Sequence, residues 1–166
     1  MGKNEFEIER KFLIYMPDLA ALERQGEKTA IVQTYLKTEE GSARVRKRGG
    51  EGSWVYTHTE KKRLSDLRRI EHEREVDEAE YLRLLEKADP QRRVICKDRY
   101  CLEYMGQLLE IDVFPFYSDR AFLEIELEAE EQAVQLPPWV EIIKEVTSDR
   151  RYTNAALALE IPYDEI

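Results

Sequence analysis

The chain has 166 residues, of which 42% are hydrophobic and 37% charged, with nine Tyr, five Phe and two Trp. That length suits one domain, residues 1–166, and the aromatic content excludes a disordered chain, while the charge exceeds what a surface needs and points to charge inside the fold. A formal net charge of −9 argues against a nucleic-acid partner, yet residues 44–69 hold nine basic residues against three acidic ones, which suits a compact polyanion.

In chain order, residues 5–14 alternate as a strand does, with Glu5, Glu7, Glu9 and Lys11 on one face and Phe6, Ile8, Phe12 and Ile14 on the other. Pro17, the run DLAALERQ and Gly26 predict a short helix. Strand rhythm returns at 31–37, where Gln33, Tyr35 and Lys37 oppose Val32 and Leu36, and at 43–48, where Arg44, Arg46 and Arg48 oppose Ala43 and Val45. Gly49-Gly50-Glu51-Gly52 is a turn. Residues 54–61 carry Thr57, Thr59 and Lys61 on one face; residues 69–76 carry Arg69, Glu71, Glu73 and Glu75. A helix is predicted over 77–88, capped by Asp77 and stopped by Asp89-Pro90. Three further strands carry Lys97 with Arg99, Glu110 with Asp112, and Glu124 with Glu126 and Glu128. Short helices are expected at 129–135, 138–145 and 154–159. No apolar run approaches the roughly 20 residues of a membrane span, and the opening MGKNEFEIERK has no apolar signal segment. The protein is therefore expected in the cytoplasm, with Cys96 and Cys101 as ordinary thiols and no Cys/His spacing for a metal.

A half-buried antiparallel sheet normally turns a mixed polar face to water. These faces are instead almost purely acidic or purely basic, strand by strand. About eight such strands suffice to close a barrel, so the expected fold is α+β: an eight-stranded antiparallel closed β-barrel, charged within, apolar without and flanked by helices. Isolated buried ions cost several kcal/mol each, roughly, so the lumen must be a wet tunnel of paired charges and ligand. The alternative is an open sheet with its charges turned to solvent.

The series E-x-E-x-K at Glu7, Glu9 and Lys11, R-x-R at Arg44 and Arg46, T-x-K at Thr59 and Lys61, and R-x-E-x-E at Arg69, Glu71 and Glu73 continues with K-x-R at Lys97 and Arg99. It ends with E-x-D at Glu110 and Asp112, E-x-E at Glu124 and Glu126, then Glu145-Val146-Thr147 and Arg151-Tyr152-Thr153-Asn154. In this order, over nearly the whole chain, it resembles the CYTH superfamily, the triphosphate tunnel metalloenzymes, and most of all its short bacterial inorganic tripolyphosphatases.

Carboxylates without Cys or His make a hard oxygen site, suited to Mg²⁺ or Mn²⁺. Residues i and i+2 share a strand face, so each carboxylate pair can grip an ion from one side. The resemblance implies metal binding by Glu7, Glu9, Asp112, Glu124 and Glu126, with Glu71 or Glu73 helping at a second ion. Glu75, Glu110 and Glu128 are expected only to balance charge. Arginine forks match phosphate oxygens and lysines add point charges. Substrate contacts are therefore expected from Lys11, Arg44, Arg46, Lys61, Arg69, Lys97 and Arg99, and from Arg151 beside a helix that plugs the tunnel. Lys47, Lys62, Arg63 and Arg68 are expected on the surface. The resemblance makes Lys11 and Tyr35 a catalytic pair, against the plainer roles of phosphate clamp and wall residue.

The expected activity is metal-dependent hydrolysis of a triphosphate, inorganic tripolyphosphate first, to pyrophosphate and phosphate. The superfamily's other activities are nucleoside and thiamine triphosphate hydrolysis and class IV adenylate cyclase chemistry; a non-catalytic polyphosphate- or nucleotide-binding module is the alternative of a different kind. Ser42 stands where thiamine triphosphatases place a stacking aromatic, and residues 1–6 contain no histidine, so an organic moiety has little to recognise it. No membrane and no nucleic acid are expected as partners.

Overall fold

The computed structural model describes residues 6–50, 52–65 and 67–166, with Phe6 and Glu7 described by their backbone alone. Glu5 and the Glu7 side chain, both expected on the charged row, and Glu51 of the expected turn lie outside the described residues, as does Asp66.

Nine strands form one antiparallel sheet: β1 (Phe6–Tyr15), β2 (Glu27–Leu36), β3 (Ser42–Gly50), β4 (Ser53–Arg63), β5 (Arg68–Val76), β6 (Ile95–Tyr104), β7 (Gln107–Val113), β8 (Arg120–Glu126) and β9 (Ile142–Glu145). Their order is β5-β4-β3-β2-β6-β7-β8-β1-β9, and β1 also pairs with β5, so the first eight close into the expected barrel. The closing edge of β1 is shared. Phe6 to Ile8 pair with β5, whereas Phe12 to Ile14 pair with β9. Lys11 sits in the interval, its N–H donating to Thr147 Oγ1 at 3.0 Å and its carbonyl accepting from the Val146 N–H at 2.8 Å.

The helices are α1 (Leu19–Gln25), α2 (Glu78–Leu84) and α3 (Asn154–Leu157). Asp18 caps α1 by accepting from the Ala20 and Ala21 N–H groups, and Asp77 caps α2 through Glu80, the role such side chains have at helix starts. The other two expected helices are absent. Residues 138–145 contain β9, because β-branched Ile142 and Ile143 find an unpaired edge of β1. Residues 129–131 form a bend and turn and 132–135 run irregularly to Pro137 and Pro138, prolines that hold the preceding backbone extended, and Val134, Leu136 and Val140 pack on the outside of the barrel.

Alternation places apolar side chains outside. Phe12, Ile14, Leu109, Ile111, Leu123 and Ile125 meet Leu22 of α1 in one cluster; Leu36, Ala43 and Val45 meet Tyr81 and Leu84 of α2 in another. Truncating one of the fully buried leucines to Ala costs about 2–5 kcal/mol. A third cluster corrects the expectation of a charged interior throughout. Leu13, Tyr35, Ile95, Phe114, Phe122, Tyr152 and Leu157 close one end of the lumen with apolar and aromatic side chains. Leu13 and Phe122 are register partners, one step along their strands from the partners Lys11 and Glu124, so the inward row changes from ionic to apolar at that level. That end of the tunnel is packed with apolar side chains.

Candidate functional site

The lumen holds a cavity of about 310 Å³, at the small end of the range for small-molecule sites, which runs to roughly 1,000 Å³. Its lining includes Lys11, Arg44, Arg46, Lys61, Arg63, Arg69 and Arg99, together with Glu9, Glu71, Glu73, Glu110 and Glu124. Gly41 and Ser42 line it where β3 begins. Gly41 has φ +67°, and a Cβ there would stand 2.2 Å from the Lys61 carbonyl oxygen, so only glycine lets β3 meet β4 with Ser42 opposite Lys61.

Arg44 and Arg46 project from β3. Both are buried, and the Nε of each has no acceptor among the described residues. Arg46 donates through Nη2 to Gln33 Oε1. Burial pulls the Arg46 guanidinium down to about 9, and the positive charges of Arg44 and Arg99 pull the same way. Buried, like-charged forks with spare donors lack an anion.

The ring order sets β3 four strands from β8 in either direction, so the arginine row faces the wall that carries Glu124. There the charges are paired. Arg99 donates to Asp112 at 2.7 and 2.9 Å and to Glu110 at 2.8 Å, and Lys97 donates to Asp112 at 2.8 Å. Burial works against ionising Asp112, but Lys97 and Arg99 overcome it and hold the carboxyl far below the usual range. Burial lowers Lys97 to about 7 in spite of Asp112. Glu124 lies 3.5 Å from the Lys11 ammonium and 3.7 Å from Arg99, and Glu9 pairs with Arg69. Glu73 accepts from Thr59 Oγ1 at 3.0 Å. Among the described residues no three carboxylates already converge on one point as a metal cluster.

Lys11 and Tyr35 both line the cavity, at its closed end. The Lys11 ammonium donates to the Tyr152 carbonyl at 2.6 Å and stands 4.6 Å over the Phe122 ring. Tyr35 is buried, its hydroxyl accepting from Gln33 at 3.4 Å. Lys61, Arg69, Glu71 and Glu73 stand on neighbouring β4 and β5, Lys61 opposite Glu71. Other expected residues are not in the lining. Lys97 and Asp112 lie behind it, Glu126 is exposed beside Glu9, and the Glu7 side chain is outside the described residues. Arg151 is exposed and bound to Asp149 at 2.7 Å and Asp164 at 3.0 Å. Its segment reaches the cavity through Tyr152, Thr153 and Asn154 instead. Arg63, expected on the surface, lines the mouth because it shares a strand face with Lys61; parity alone could have found it. Gln33 and Thr147 carry no charge; alternation puts Gln33 on the face of Tyr35 and the motif series includes Thr147, but their bonds to Arg46 and to the Lys11 backbone are seen only in the fold.

Glu110 links the site to pH. Burial raises its carboxyl to about 7 from 4.5; Arg99 opposes the shift, and Glu124, Asp112 and Glu9 add to it. The folded protein therefore binds an extra proton between those two pH values. This contribution to stability is complete below pH 4.5 and is lost as pH rises through 7. Glu110→Gln keeps an acceptor for Arg99 but removes the titration. Denaturant melts should match wild type near pH 5 and exceed it at pH 8 by on the order of 3 kcal/mol. An unchanged pH slope in the variant would assign the slope to another group.

A closed barrel with an arginine row facing carboxylates across one cavity has the make-up of a container for a small polyanion. The chain belongs to the CYTH superfamily of triphosphate tunnel enzymes: it is 40% identical over 163 residues to the inorganic triphosphatase of Nitrosomonas europaea, covering 94% of this chain and 99% of that one. The crystal structure of the inorganic triphosphatase NE1496 matches with a TM-score of 0.57 at 34% identity, over 95% of this chain and 97% of that one. The PH1012 protein of Pyrococcus horikoshii shares the fold at 21% identity and a TM-score of 0.56, over 75% and 81% of the two chains. No protein-family model matches the chain. Among the described residues no helix is long and apolar enough to cross a membrane.

Proposed function

We propose that this protein hydrolyses inorganic tripolyphosphate to pyrophosphate and phosphate, with Mg²⁺ or Mn²⁺ as cofactor. The observation that carries the reading is the pair of buried forks, Arg44 and Arg46, each with an Nε that has no acceptor among the described residues. Phosphate oxygens are the acceptors that geometry suits. A relative named inorganic triphosphatase that aligns from end to end supports the same substrate. Gly41 and Ser42 at the lining offer no ring to stack on a base or thiazole, which favours the inorganic chain over thiamine and nucleoside triphosphates.

The donor set fits a hard divalent cation, because Glu9, Glu71, Glu73, Glu110 and Glu124 line one cavity, and the charges of Glu124 and Glu9 add to the burial that raises the Glu110 carboxyl. Glu9 and Glu124, with Glu71 and Glu73, are the residues proposed to hold it, joined by Glu7 and Glu126 of the same two strands, β1 and β8, while Asp112 acts through Arg99. When bound, a divalent cation neutralises charge between the carboxylates and the phosphate oxygens. The chain's own groups do the rest. Arg44 and Arg46 grip non-bridging oxygens from one wall, Lys61 and Arg69 draw the chain in from the mouth, and Arg99 is fixed by Asp112. Water attacks a terminal phosphorus, the bond to the bridging oxygen breaks, and pyrophosphate leaves. Lys11, held by the Tyr152 carbonyl, and Tyr35 are the proposed pair that orients this water; Lys11 takes its proton as the neutral amine, after the ammonium has given a proton to solvent, and returns it when the phosphate product leaves. The free thiols Cys96 and Cys101 suit the cytoplasm, and an acidic chain whose basic row lies inside a closed barrel does not suit nucleic acid.

A panel of tripolyphosphate, ATP, GTP and thiamine triphosphate with each metal, read for phosphate, pyrophosphate and cyclic nucleotide, tests the reading. Tripolyphosphate should be turned over fastest. At about 100 times its dissociation constant it should add roughly 2.7 kcal/mol and raise the melting temperature by roughly 5–10 °C. The same shift without phosphate release would make the protein a sensor, and no shift would remove the triphosphate site.

A further inference from the structure

We infer that Asp164 is a positioning residue for the reaction, a latch that acts on Lys11 through Tyr152; the inference rests on the role proposed above for Lys11. Three side chains converge on the Asp164 carboxylate, Arg151 through both of its terminal nitrogens. The carboxylate accepts from the Tyr152 hydroxyl at 2.6 Å, from Lys144 at 2.9 Å and from Arg151 Nη2 at 3.0 Å. Its own segment is tied to the barrel, since Arg120 Nη1 donates to the Asp164 carbonyl at 2.7 Å and the Tyr117 hydroxyl donates to the Pro162 carbonyl.

Tyr152 is the point of transfer. Its ring is fully buried against Phe122 at 5.9 Å, with the Lys144 ammonium 5.1 Å and the Arg151 guanidinium 5.3 Å from its centre. Asp164 lies between these two cations and neutralises them as it fixes the phenol. The backbone carbonyl of the same residue accepts from the Lys11 ammonium at 2.6 Å. Thr147 and Val146, from the segment that Lys144 opens, hold the Lys11 backbone. One carboxylate outside the cavity lining thus fastens the segments that hold Lys11 at its backbone and its amine. Short charge-assisted bonds are the strong ones, and a displacement near 1 Å at a reacting group costs up to about 100-fold in rate.

The test compares Asp164→Asn and Tyr152→Phe with wild type, each checked by melting and circular dichroism. Tyr152→Phe removes only the hydroxyl and carries the test if Asp164→Asn fails to fold. Both are expected to lower kcat on tripolyphosphate roughly 10- to 100-fold with KM within about twofold. In a Lys11→Met background the same changes should cost nothing further, because the latch acts only through Lys11. Reductive ¹³C-methylation supplies a readout independent of turnover: the buried Lys11 amine should react at least about 10-fold faster in the latch variants. Unchanged kcat, losses that multiply in the Lys11→Met background, or equal Lys11 protection would overturn the latch. A wild-type protein that leaves tripolyphosphate intact would sink the proposed activity alone, and methylation would still decide the latch.

Discussion

Arg46→Met is expected to leave the ligand-free protein more stable than wild type and at least about 100-fold less active. Both effects have one cause. Arg46 is a buried cation whose Nε has no acceptor, pressed by Arg44 and Arg99. Removing such a charge removes its desolvation cost, several kcal/mol in order of magnitude; the donor lost to Gln33 and the attraction of Glu73 and Asp112 offset most of it, so the expected gain is about 1 kcal/mol. With substrate bound, the same guanidinium makes desolvated charge-assisted bonds to phosphate, and removing one such donor costs roughly 10²–10³ in rate. KM should rise as kcat falls, because the contact is made in the ground state and strengthens in the transition state. Urea melts without ligand and initial rates on tripolyphosphate read the two signs separately. A less stable but fully active variant would make Arg46 part of the scaffold.

Glu124→Gln should have the second large effect, a loss of about 10³ in kcat with the fold retained. The substitution keeps volume and an acceptor but removes a negative charge beside Lys11 and Arg99. Under the proposed role, half-maximal activity should require at least about tenfold more Mg²⁺. The melting temperature without metal should move little, since Arg99 keeps Asp112 and Glu110 and Lys11 keeps the Tyr152 carbonyl. Wild-type turnover at ordinary Mg²⁺ would show that Glu124 only balances the two cations.

How far such residues could be found in advance depended on their strand. On β3 the run Ser42-Ala43-Arg44-Val45-Arg46 shows its two faces directly, and the structure puts both arginines in the cavity. On β6 the same rhythm placed Lys97 inward, but the partner at its end, Asp112, is a cross-strand neighbour only after β6 and β7 pair. The pair therefore sits behind the lining. Arg151 shows the limit most plainly. Its motif neighbours reach the cavity, while Arg151 turns out to Asp149 and Asp164. Irregular segments have no parity to read.

Alternation with period two, a local property set by the pleat, was enough to determine an inside-out barrel with charged rows, and the order of those rows determined the family. Alternation stops at the boundary of each strand. That β9 takes the open edge of β1, that Leu13 and Phe122 shut one end of the lumen, and that Asp164 reaches Tyr152 were decided only by tertiary structure. These contacts join residues far apart in the chain, each satisfying a group left by the barrel: an unpaired strand edge, an apolar inward row, two cations beside a buried ring. No local pattern encodes such a remainder, because it exists only after the sheet has closed.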